Sequence, residues 1–145
     1  MLNKPTIALM LWLLLLQPTY AFAQGEYIDI FPKSAEDIEA ILSAVEDKLD
    51  NPGDESVPPI VMMLHGKEAA RFLKRNYAEN KDLVDLTAKL AGFGLLNVQI
   101  CERWLRSNDH PHSELFPFTS TVPFGEDEVE RLVEEEGYTE YTVGL

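Results

Sequence analysis

The chain of 145 residues holds one cysteine, Cys101, so neither an intrachain disulfide framework nor a thiolate-only zinc site is available to it. Positive charge is also scarce. Twelve Lys and Arg stand against 25 Asp and Glu, a formal net charge of −13, and no Lys/Arg cluster offsets it locally. A phosphate backbone or an anionic membrane surface would be repelled, which argues against nucleic-acid binding. Several catalytic signatures are missing as well: a Gly-rich phosphate loop, a Gly-x-Ser-x-Gly elbow, a His-Glu-x-x-His pair and a Cys-x-x-Cys pair. The acids are spread along the chain, so spacing singles out no acid/base pair among them. There is no internal repeat and no low-complexity segment.

What is present suffices for one packed domain and is too little for two, with 46% hydrophobic residues. Residues 1–23 stand apart. Lys4 provides a positive start, Thr6 to Leu16 is apolar, Pro18 breaks the run, and Ala21-Phe22-Ala23 offers small residues around a cleavage point. This pattern predicts a secretory signal peptide cleaved after Ala23, leaving a domain over 24–145. The apolar run is short against the roughly 20 residues that span a bilayer, so no stable membrane anchor is expected after cleavage. The expected location is an oxidising extracytoplasmic space, most simply a bacterial periplasm, where an unpaired thiol is open to oxidation.

Past the leader, Tyr27 to Phe31 alternates as a short strand ended by Pro32. Ser34 with Asp37 reads as a capping box, and Ile38, Ile41, Leu42, Val45 and Leu49 fall on one helical face. Asp50-Asn51-Pro52-Gly53 stops that helix. Ile60 to Leu64 is apolar without alternation, as in a strand covered on both faces. Helices are predicted over Lys67 to Asn76 and Lys81 to Leu90, stopped at Gly92 or Gly94. Leu95 to Ile100 is the next strand, Phe118 to Val122 another, and Glu126 to Glu136 a helix whose Glu-rich end is a solvated face. Tyr138 to Val143 alternates as a last edge strand. This succession predicts an α/β fold: a three-layer sandwich with a mainly parallel sheet and helices on both faces.

Ligands of open α/β sheets bind beyond the carboxyl ends of the strands. His65 and Cys101 each close a predicted strand, so neighbouring strands would bring them to one sheet edge. A helical turn from Glu102 would aim backbone N–H groups at the Cys101 sulfur and favour its thiolate, with Arg103 and Arg106 in support and Glu102 opposed. The alternative is a buried cysteine that packs as a small hydrophobe. His65 is suited to donate a proton near neutral pH, or else bonds a nearby carbonyl while Gly66 makes the tight turn. Met62, Met63, His65, Cys101, His110 and His112 are ligand types that suit copper. Two adjacent methionines in one strand cannot both face a single site, however, and no metal is expected.

Ile60 to Gly66, a Leu-rich helix ending near Gly92, Val98-Gln99-Ile100-Cys101 with a short helix through Leu105, Leu115-Phe116-Pro117, Val122 to Gly125 and Glu136-Gly137-Tyr138 together resemble the DsrE/DsrF-like sulfur-relay family. The resemblance covers most of residues 27–143. It implies a small α/β fold assembled as a homo-oligomer, often a trimer or hexamer, and a cysteine at a strand end that accepts a persulfide and passes it to a partner. Cys101 is the position that matches.

The expected function is therefore an exported sulfur carrier working through Cys101, with His65 as a second catalytic candidate and Gly66 and Arg103 as ligand-binding positions. Its partners would be a sulfur donor or acceptor protein or a small thiol, and no cofactor is required. The alternative is a non-enzymatic oligomeric binding module with a structural cysteine. Thiol accessibility separates the two.

Overall fold

A computed structural model describes residues 25–50 and 58–143; the predicted signal peptide lies outside the described residues. Five strands form one sheet in the order β4-β3-β2-β1-β5, every pairing parallel: β1 (Glu26–Asp29), β2 (Ile60–Leu64), β3 (Leu96–Cys101), β4 (Thr119–Val122) and β5 (Thr139–Glu140). The helices are α1 (Ala35–Asp50), α2 (Lys81–Gly92), α3 (Glu102–Ser107) and α4 (Gly125–Glu134). The chain has the three-layer α/β architecture expected of it.

Topology sets the layers. The chain steps from β1 to β2 to β3 in one direction, so right-handed crossovers put α1 and α2 on the same face, where they pack on each other. The step from β4 back across the sheet to β5 reverses direction. Its helix, α4, consequently falls on the opposite face, against β2.

The α1/α2 face is a continuous apolar core. Ile28 and Ile30, Met62 and Leu64, and Val98 and Ile100 point into it and meet Ile38, Leu42, Val45, Leu83 and Leu90 from the helices. All of β2 is buried on both faces, as its unbroken apolar run requires. Helix α1 opens on the expected capping box: the Asp37 N–H donates to Ser34 Oγ at 3.1 Å and the Ser34 N–H to Asp37 Oδ2 at 3.2 Å.

Two elements differ from their sequence-based forms. Residues 67–79 make two 3-10 helices, Lys67–Phe72 and Lys74–Glu79, rather than one α-helix. Leu73 between them is extended (φ −97°, ψ 144°), and the break lets the adjacent side chains of Phe72 and Leu73 both bury completely. The last strand is two residues long because β5 is an edge strand held on one side only, by the first half of the short β1.

Candidate functional site

Residue parity sorts the sheet by chemistry. While residues 28, 30, 62, 64, 98 and 100 face the apolar core, the intervening Asp29, His65, Gln99 and Cys101 belong to the other face, under or beside α4. Leu64 pairs with Ile100, so the next step of the register sets His65 level with Cys101. The sequence left open whether these two side chains meet. They flank one point: a Cβ built on Gly125 would lie 3.1 Å from His65 Cβ and 3.3 Å from Cys101 Cβ.

Gly125 is the first residue of α4, and its N–H donates to Cys101 Sγ at 3.3 Å. The sequence reading ascribed that role to the turn beginning at Glu102. The N–H at the sulfur comes instead from the helix that follows β4: Cys101 is the N-cap residue of α3, but its side chain makes no cap hydrogen bond there. Nor do both expected arginines serve the sulfur: Arg106 pairs with Glu102 at 3.5 Å. Arg103 is exposed, lines the cavity above Cys101, and has no ion-pair partner among the described residues.

His65 is 7% exposed and both ring nitrogens face carboxylates. Nε2 donates to Asp29 Oδ1 at 2.8 Å, and Nδ1 lies 3.8 Å from Glu126 Oε1. The neighbouring-carbonyl alternative for His65 gives way to this carboxylate bond. Asp29 is itself set by its strand end, where Oδ1 also accepts the Phe31 N–H at 2.9 Å. The hydrogen bond to Asp29 raises the His65 pKa above its ordinary value; burial opposes this, and Glu126 and Glu68 add to it through their charge. The ring is thus held toward its cationic form beside the thiol. Nε2 is taken up by Asp29, while the 3.8 Å from Nδ1 to Glu126 is longer than a hydrogen bond.

Gly66 turns the chain out of β2 at φ +73°, and any Cβ there would meet the Phe31 ring at 2.4 Å. Phe31 in turn leans on His65, ring centres 5.6 Å apart. Together with Trp104 and Glu126 these groups line an open cavity of about 340 Å³ that has Cys101 in its wall, the size of a small-ligand site. Cys101 itself is 2% exposed.

His65, Gly66, Cys101 and Arg103 all line this one cavity. Asp29, Glu126, Phe31 and Trp104 were not anticipated. Asp29 carried a signal: applying the strand-end rule to β1 as well as to β2 and β3 would have found it. Glu126 did not, being one acid of many in an acidic helix. The six residues weighed as copper ligands are dispersed. Met62 belongs to the apolar core, His110 lies against the Trp104 ring and His112 bonds Glu102 at 3.1 Å. Among the described residues no group of three or more His, Cys, Asp or Glu is placed to hold a metal ion.

No family model matches this chain, and no curated protein matches it. A solved structure does: MTH1491, a protein of unknown function from Methanobacterium thermoautotrophicum, is 19% identical, with a TM-score of 0.57 over 79% of this chain and 95% of that one. The likeness is one of fold.

Proposed function

We propose that this protein is an exported, DsrE-like sulfur carrier in which Cys101 accepts a sulfane sulfur as Cys-S-SH and passes it to an acceptor thiol. The observation that carries the reading is the position of Cys101: it lines a small-ligand cavity with His65, and its Sγ accepts the N–H of Gly125 at the start of a ten-residue helix. Thiol exchange is carried by the attacking sulfur and needs no elaborate catalytic set. No cofactor takes part. The leader places the protein in the periplasm, and the family resemblance adds a homo-oligomer, trimer or hexamer, as the working form.

The test is the intact mass of the mature protein after incubation with polysulfide, before and after reduction. Wild type gains about 32 Da, the mass of one sulfur, reversibly; Cys101→Ala gains nothing. Uptake of one sulfur per chain by Cys101→Ala would end the proposal. Light scattering on the same sample tests the assembly, and a mature chain beginning at Gln24 in the periplasmic fraction tests the export.

A second reading is favoured by the 2% exposure of Cys101: an oligomeric binding module whose cysteine is structural. In that case the thiol reacts with a thiol reagent only after denaturation.

A further inference from the structure

The cavity at Cys101 carries two unlike charges that the carrier chemistry does not use. Arg103, from α3, extends into it as a guanidinium with no ion-pair partner among the described residues. Glu126, from the first turn of α4, lines it with a side chain 64% exposed, and its contact to His65 is a long 3.8 Å, leaving the carboxylate free to accept from something else. Phe31 and Trp104 line it as well and give it apolar surface. A purely anionic ligand would be opposed by Glu126 and a purely cationic one by Arg103. A ligand with an ammonium and a carboxylate answers both.

Burial narrows the class further. With Cys101 2% exposed at an open recess of about 340 Å³, the space matches a small molecule better than the thiol of a folded protein. We infer that the sulfur donor is a zwitterionic low-mass persulfide of the α-amino-acid type, its carboxylate on Arg103, its ammonium on Glu126 and its outer sulfur at Cys101; this rests on the carrier reading. In the transfer the Cys101 thiolate attacks the outer sulfur of R-S-SH. A Cys101–sulfur bond forms, the donor's S–S bond breaks, and the electron pair leaves with R-S⁻, while the proton stays on the transferred sulfur. The sulfane sulfur keeps its oxidation state, so no oxidant or reductant enters.

Three persulfides, each made from its disulfide and sulfide, separate the two contacts: cysteine persulfide carries both charges, 3-mercaptopropionate persulfide only the carboxylate, and cysteamine persulfide only the ammonium. The rate of the mass gain at Cys101 is compared between wild type and variant for each donor, which cancels differences in leaving-group reactivity. R103Q slows the two carboxylate donors about tenfold more than it slows the cysteamine donor, and E126Q slows the two ammonium donors by a similar factor relative to mercaptopropionate, as expected for losing one charge-assisted hydrogen bond. R103K retains the carboxylate preference in part. If each variant slows all three donors equally, the zwitterion inference is overturned while the carrier stands. If wild type takes sulfur from none of them and not from polysulfide either, the carrier reading has failed and the inference with it.

Discussion

The two faces of the sheet are built from the same strands and differ in almost everything else. On the α1/α2 face, alternate residues of β1, β2 and β3 are Ile, Met, Leu and Val, closed over by two helices of 16 and 12 residues. On the α4 face the intervening residues at the strand ends are Asp29, His65 and Cys101, covered by one ten-residue helix that buries only Gly125 and Leu132 of its own residues. The first face supplies stability through area removed from water. The second sets polar groups in a confined space and leaves a cavity over them. A parallel sheet lets both occur in one short chain, because period-two alternation assigns successive residues to opposite faces.

The largest way to sharpen this contrast is Ile100→Ala against its neighbour Cys101→Ala. Ile100 is fully buried in the apolar core, and its truncation costs about 2–5 kcal/mol, while loss of the single sulfur atom costs about 1 kcal/mol. Denaturant titration reads both, and equal costs would mean that the faces do not divide the work. Next comes Gly125→Ala. The new methyl presses on His65 Cβ and Cys101 Cβ, atoms too close to the backbone to swing aside, at about 1–3 kcal/mol. Unlike Ile100→Ala it also changes how fast a thiol reagent labels Cys101; unchanged labelling would detach Gly125 from the site.

Ser34→Ala removes the capping box of α1 on the apolar side and is expected to cost about 1 kcal/mol at every pH between 6 and 9, with no effect on Cys101 labelling. The smallest effect belongs to Asp29→Asn, since the Asp29 side chain is 26% exposed and water screens the pair. It has a distinctive sign. A His65 pKa raised by Asp29 stabilises the fold fully below the ordinary histidine pKa of about 6.5, and that stabilisation is lost as pH rises through the raised value. Wild type and Asp29→Asn therefore differ more in melting temperature near pH 6 than near pH 9. A gap that widens toward alkaline pH would show that Asp29 supports the fold and not the imidazolium.

The elements most legible in the sequence are those whose residues have one physical role. Ile60–Leu64 has no polar residue and forms a strand buried on both faces; Leu96–Cys101 alternates and forms the strand beside it; Ser34 and Asp37 open α1 as a capping pair. Where neighbours competed, tertiary packing prevailed. The pair Phe72-Leu73 reaches the core by breaking its helix, and the terminal alternation from Tyr138 yields two paired residues because only one short strand is there to pair with.

For the site, the strand-end positions of His65 and Cys101 were local facts, readable from where an apolar run stops. Their meeting, the Asp29 bond to His65, and the Gly125 N–H on the sulfur were not, since those contacts join residues 24 to 36 positions apart through the order in which strands pair. The sequence by itself determined which segments are strands and helices and which face of each is apolar, because periodicity is written residue by residue. Only the tertiary structure decided that α4 crosses to the second face and that a cation, a carboxylate and two aromatic rings surround the one thiol, because the hand of a crossover and the register of a sheet are properties of the assembled chain.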